Sequence, residues 1–253
     1  MKRLPGSRRR RLAAGVIAAA AIAAGLGAAW AGGLLFTDTA RPASVDSALQ
    51  RFRASDPRPQ TLDGVYTYAT RGEESLDVLG GTHHPYPATT TITAVEVPCG
   101  VRLRWDALAG RSTTWTLCTR TPGPNLRTLD EVHSFFGRHD RTLYTCSPPT
   151  NGNTDRFHCR SQHDAETGRE IGAAPARLDV GGQPVQALHY RTTARVSGAD
   201  RGTETTEWWL DAYSGLPLEL VVSNRTSRPE PLIGRAHYRE DVTLRLVSTT
   251  PLR

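Results

Sequence analysis

The residues that could do chemistry are unevenly spread along the 253-residue chain. The histidines include an adjacent pair, His83 and His84 in GGTHHPYP, a second pair flanking FFGR, His133 and His139, and a third, His158 and His163, near Cys159 and Asp164. Zinc needs such groups to converge at about 2.0–2.3 Å, often from i,i+4 positions on a helix or i,i+2 positions on a strand. Neighbouring histidines diverge on a strand, and HExxH is absent. His83 and His84 therefore read as polar loop residues, held extended by Pro85 and Pro87. Glu73-Glu74 and the Glu166/Glu170 pair could be recruited for glycosidase work, which needs two acids about 5–9 Å apart across a cleft. Nothing in the sequence places them so, and solvated turns are their default. Ser214-Gly215 lacks the preceding glycine of a nucleophile elbow, and neither GxSxG nor SxxK occurs. Asn224-Arg225-Thr226 fits a glycosylation sequon and is read as coincidence. No catalytic residue, metal ligand or cofactor is assigned, and the chain is expected not to be an enzyme.

The four cysteines carry a different chemistry. Cys99, Cys118, Cys146 and Cys159 all follow the N-terminal apolar run, and an even count in an exported domain reads as two disulfides. Three connectivities exist. Cys99–Cys118 with Cys146–Cys159 is favoured because each pair brackets one hairpin, and each closure would contribute on the order of 3 kcal/mol in the loop-entropy model. No spacing among them suits a metal.

Charge and hydropathy place these groups. The formal net charge is +6, and Lys2, Arg3, Arg8, Arg9, Arg10 and Arg11 account for it, leaving 25 basic against 25 acidic residues in 37–253. A neutral body lacks the basic footprint of a nucleic-acid binder. Residues 12–36, LAAGVIAAAAIAAGLGAAWAGGLLF, hold no charged side chain. As a helix they would reach roughly 37 Å, enough to cross a hydrocarbon core of about 30 Å. The basic end 1–11 should then stay in the cytoplasm and the rest lie outside. A cleaved signal peptide, with Ala29-Trp30-Ala31 as the processing site and a secreted product, is the alternative.

The elements that must position the body are mostly strands. Residues 37–63 form a linker with a short helix over 44–52, capped by Ser44, with Val45, Ala48, Leu49 and Phe52 on one face. From residue 64 to 253 the period is two. Val101, Leu103 and Trp105 share a face, as do Thr113, Trp115 and Leu117; Leu188, Tyr190, Thr192, Ala194 and Val196; and Val242, Leu244 and Leu246. Such alternation marks antiparallel strands with one buried face. TLDEVHSFFGR, 128–138, is the best helix candidate inside the domain, by capping-box spacing and Gly137, with a strand as the competing reading. Residues 147–155 and 164–175 read as loops. In TTEWWLDAYSGLPLELVV the adjacent Trp208 and Trp209 must point to opposite faces. Ser214-Gly215 makes a turn, Asp211 is a turn-proximal surface acid, and Leu216, Leu218, Leu220 and Val222 form an apolar face after it.

That hairpin resembles the exported LolA/LppX-like lipoprotein-carrier superfamily. The match rests on Trp209, Asp211, Gly215, Leu216 and Pro217 and extends by pattern over about residues 180–248. The stretch from Gly81 to Cys118, with 30 Arg against one Lys in the whole chain, is also similar to membrane-anchored proteins of high-GC actinobacteria. The resemblance implies a mainly β half-barrel with few helices, whose concave apolar face holds an acyl chain or a lipidated partner, and it supplies no catalytic residues. From the residues themselves, a shortage of helix to cover that face points the same way. Trp105, Trp115, Tyr190, Trp208, Leu218 and Leu220 are accordingly expected to line an apolar cavity, with core filling as the plainer alternative. The expected role is a membrane-anchored, extracytoplasmic, non-enzymatic domain that holds a lipid, a lipid-like ligand or a lipidated partner. The alternative is a ligand-free module acting through protein contacts.

Overall fold

The computed structural model describes residue 38 and residues 40–55, 62–78, 81–118, 125–147, 156–230 and 234–253. The chain divides into units 1–38 and 39–253, and the second is the β domain. No helix among the described residues is long and apolar enough to cross a membrane. The basic end 1–11 and the apolar run 12–36 lie outside the described residues, as does most of the loop read at 147–155.

One helix, α1 (Val45–Ala54), precedes the sheet; the Ser44 hydroxyl accepts from the Ser47 amide, capping it as the sequence suggests. Its apolar face sets Ala48 and Phe52 against Val65, with Leu49 and Val95 beside them. The remaining regular elements among the described residues are strands: β1 (Gly64–Asp77), β2 (Thr82–Pro85), β3 (Thr89–Val97), β4 (Gly100–Leu108), β5 (Arg111–Cys118), β6 (Asn125–Phe135), β7 (Arg138–Ser147), β8 (Arg156–Arg160), β9 (Asp164–Val180), β10 (Gln183–Gly198), β11 (Arg201–Asp211), β12 (Pro217–Glu230) and β13 (Gly234–Leu246). From β3 onward each strand pairs antiparallel with the next, as expected of a meander.

The sheet differs from a half-barrel in one respect. β13 pairs with β1 from Tyr68↔Leu246 to Asp77↔His237, so the sheet returns on itself. β2 and β3 occupy one place in the ring: both pair with β1, and Tyr86 N→Gly72 O (3.0 Å) and Thr70 N→Ala88 O (2.9 Å) carry the ladder across the gap between them. Closure removes the unpaired edges of an open sheet. The ring is flattened, because side chains from opposite walls touch: Trp115 of β5 meets Trp208 of β11 at 5.2 Å between ring centroids, and Arg228 of β12 reaches Asp140 of β7. The β1–β13 contact tightens at Gly72, whose φ is +136° and where a Cβ would lie 2.0 Å from the Asp241 carbonyl oxygen.

Two stretches depart from the sequence reading. Residues 128–138 are strand β6 and the turn after it, not a helix. Thr128 pairs with Thr116 on one side and Thr145 on the other, and a segment hydrogen-bonded on both flanks gains more than an isolated helical turn offers. Phe136 (φ 52°) and Gly137 (φ 71°) make the two-residue link to β7, the positive-φ pair that suits the twist of a hairpin. Residues 164–175 are not a loop but part of β9, paired with β8 and β10. Both disulfides of the favoured pairing form. Cys99–Cys118 ties the far ends of the β4–β5 hairpin, and Cys146–Cys159 joins β7 to the short β8.

Candidate functional site

Because side chains alternate, every second residue of each strand enters the ring. At one end these residues are apolar. Trp105, Trp115, Tyr190, Trp208, Leu218 and Leu220, the residues expected to line a cavity, all belong to one buried cluster and are each at most 6% exposed. They pack on one another, with the Trp115–Trp208 edge contact at their centre. Two polar atoms among them are satisfied: Trp105 Nε1 donates to Thr90 Oγ1 at 3.0 Å, and the Tyr68 hydroxyl donates to the Pro217 carbonyl at 2.7 Å. Trp209 points outward and stacks on His189 at 4.3 Å, so the two neighbouring tryptophans do part. Asp211 stays in its turn, accepting from the amides of Tyr213 and Ser214 and from the Ser214 hydroxyl.

Toward the other end the same inward rows turn polar. Glu74 continues the row of Tyr66 and Tyr68 and stands opposite Glu240; Glu240 is opposite Asn224, and Asn224 opposite Glu204. Four neighbouring strands thus carry one polar rung. From the facing wall Arg111 crosses the interior. Its Nε donates to Glu74 Oε2 at 3.1 Å, its Nη2 to both Glu240 oxygens at 3.0 and 3.1 Å, and its Nη1 to Thr113 Oγ1 at 2.6 Å. The guanidinium also lies 5.7 Å from the Trp105 ring centroid. The Tyr86 hydroxyl donates to Glu240, and that of Tyr238 donates to Glu74 Oε2 at 3.1 Å. His84 Nδ1 lies 3.2 Å from Glu74 Oε1, and His133 Nδ1 lies 3.8 Å from its other oxygen. Phe135 stacks on His84, closing the group from above.

The sequence reading of these acids and of His84 is corrected here. Glu74 is fully buried, Glu166 is 4% exposed and His84 2%; only Glu73 and His83, the outward neighbours, are the solvated residues expected of both pairs. Asn224 is buried at 7%, so the folded domain does not present its sequon. The signal that could have found the network was phase: a charged residue falling in step with a strand's aromatic residues. Glu74 is in step with Tyr68, Glu240 with Leu244, and Glu204 with Trp208.

Electrostatics divides the polar end in two. Burial alone would raise the Glu74 carboxyl, but its contacts with His133 and His84 and the charge of Arg111 hold it well below the usual carboxylate range. Burial works against the charge of Arg111 as well, yet Glu240 and the other partners more than offset it. The second group is mostly acidic, and the charges of His133 and Arg111 only partly offset its burial. Glu131, opposite Thr113, is raised by burial. Glu166 is raised by burial and then by the charge of Glu204. Glu204 is pushed up to about 8, first by burial and then by Glu131. Glu170 is pushed up to about 7 by burial. Glu131 and Glu204 point inward, and each residue keeps partial accessible surface.

The Arg111 donors are taken by two carboxylates and a hydroxyl, which leaves none aimed at a developing charge. The Ser214 hydroxyl donates to the Asp211 carboxylate and accepts from the Leu216 amide in an exposed turn. No group of three or more His, Cys, Asp and Glu side chains is placed to hold a metal ion among the described residues.

No family model matches the chain, and no curated protein matches it. Among solved structures it is similar to the crystal structure of the hypothetical lipoprotein YmcC from Escherichia coli K12, with 13% identity, 83% of this chain and 98% of that chain covered, and a TM-score of 0.33. At that identity and score the likeness bears on neither ligand nor role.

Proposed function

We propose that this chain is a non-enzymatic binding domain of the cell envelope, carried on the membrane by residues 12–36 with its β body outside, that holds a lipid, a lipid-like ligand or a lipidated partner. The observation that carries this reading is the two-part interior. An aromatic and aliphatic cluster fills one end of the ring, and a charged, hydrogen-bonded belt lines the other. An amphiphile has the same division, with a chain that prefers the first environment and a head that prefers the second. The partial accessible surface of Glu131 and Glu204 beside the belt supplies room at the polar end.

The tightness of the aromatic cluster favours a second reading, a ligand-free module that works through protein contacts. Trp115 and Trp208 already meet edge to face, so an acyl chain would have to part them. Native mass spectrometry of the full chain, extracted in mild detergent with its disulfides intact, separates the two. A stoichiometric lipid adduct that is lost in Trp208→Ala while the fold persists supports lipid holding. A bare protein whose tryptophan emission is unmoved by anionic or zwitterionic vesicles supports the second reading and sinks the first.

A further inference from the structure

The buried polar groups of the lumen do not balance. On the Arg111 side six hydrogen bonds, two of them also ion pairs, join Arg111, Tyr86 and Tyr238 to Glu74 and Glu240, and only the neighbouring His133 Nδ1 is buried there without a hydrogen-bond partner among the described residues. One rung further round the ring, acceptors accumulate. Glu204 receives only two neutral donors, the Thr206 hydroxyl at 3.0 Å and the Asn224 amide nitrogen at 3.4 Å. Glu131 and Glu166 add their charges nearby: Glu166 feels those of Glu204 and Glu131, and Glu204 feels that of Glu131. The positive groups nearby are His133, two residues from Glu131 on β6, and Arg111, whose donors are committed to Glu74, Glu240 and Thr113.

Asn224 provides an observation independent of the acids. Its side chain sits in the inward row between Glu240 and Glu204 and is 7% exposed, yet its Oδ1 is buried with no hydrogen-bond partner. A buried acceptor left unpaired costs on the order of 1–3 kcal/mol, and folded proteins rarely keep one without a use. A proton on Glu204 would ease the repulsion and could reach the amide oxygen only if the amide turned over, which would leave its nitrogen buried and unpaired instead. A ligand bringing both charge and donors would do both.

We infer that the space bounded by Glu131, Glu204 and Asn224 is a binding site for a protonated primary amine. An ammonium is compact, carries three donors and has no planar geometry to satisfy. It can donate to Asn224 Oδ1 and to both carboxylates together. A guanidinium would need a paired carboxylate fork of the kind Glu240 already gives Arg111. This deepens the reading above, and rests on it, by assigning the head of the ligand: an amphiphile with an amino group sets that group here and its chain toward the aromatic cluster.

The test uses the full chain in nonionic detergent and three probes: hexylamine, hexanol and methylammonium, with binding read by saturation-transfer NMR and by Tm. The expected result is binding of hexylamine about tenfold tighter than hexanol, a preference abolished in Glu131→Gln/Glu204→Gln and weakened in Asn224→Leu. Both variants are expected to keep or raise Tm, since the first removes buried charge and the second an unpaired buried acceptor. Equal affinity for hexylamine and hexanol overturns the amine site while leaving an apolar ligand in place. Amine binding that persists in the double variant also overturns it. Binding of hexylamine and methylammonium without hexanol keeps the amine site and overturns the amphiphile reading, whereas silence from all three probes overturns both.

Discussion

Arg111 shows how a single residue can hold an interior that otherwise ought to fall apart. Two buried glutamates side by side repel, and neither has solvent to spread its charge. The guanidinium bridges them and is held in turn. Arg111→Met, a change of similar volume, is expected to cost about 3–5 kcal/mol at pH 7.5 by stranding Glu74 and Glu240. Much of the loss should return at pH 5, where the stranded acids can take up protons. Adding Glu74→Gln and Glu240→Gln should recover stability at both pH values, and urea midpoints of the variants read this directly. Glu204 and Glu170 set a slope of the same sign in the wild type. Their folded-state values, about 8 and about 7, lie above the ordinary 4.5. Between about pH 5 and 8 the folded protein therefore holds protons that the unfolded chain has released, and stability falls as pH rises through that window. A lower urea midpoint at pH 8.5 than at pH 5.5 is expected, with a shallower difference in Glu204→Gln. An unchanged midpoint would mean these acids are well solvated.

Among the elements, β8 is the one that depends most on help. It has five residues and only three register pairs with β7, too few to hold a place in the ring alone. Cys146–Cys159 lies inside that short ladder and closes a separation of 13 residues. Replacing both cysteines by serine should cost about 3 kcal/mol. Amide exchange should quicken first in β8 and the adjoining half of β7, with β12 and β13 unaffected. A uniform loss of protection would show that the bridge holds the whole sheet rather than this seam. The same dependence on neighbours explains why β6 and β9 were misread. Capping-box spacing at Thr128 and the Gly and Glu content of 164–175 are local cues, whereas the ladders on both flanks of each strand are not. Where alternation ran through apolar residues, as in β4, β5, β10 and β13, the buried face was legible from the chain alone.

At the scale of the domain, closure is the consequential event. β1 pairs with β13 across more than 160 residues of chain, and the seam continues beyond the strands. Val65 N donates to Leu252 O at 3.0 Å, and Leu252 N donates to Val65 O at 2.8 Å. Removing residues 248–253 should forfeit that pair of bonds, worth roughly 2 kcal/mol, and lower Tm by about 4–8 °C. Faster amide exchange along Gly64–Thr67 would locate the loss at the seam, while an unaltered Tm would show that the seam closes without it. The sequence by itself determined the strand period, the parting of Trp208 from Trp209 and the helix cap at Ser44, because each depends on geometry within a few residues, and it favoured one cysteine pairing of three. Only the tertiary structure decided that the sheet closes and that Glu74, Glu166, Glu204 and Glu240 lie inside it. A carboxylate on a strand is stable on either face, and the choice rests on whether Arg111, Tyr86 and Tyr238 arrive from distant strands to meet it.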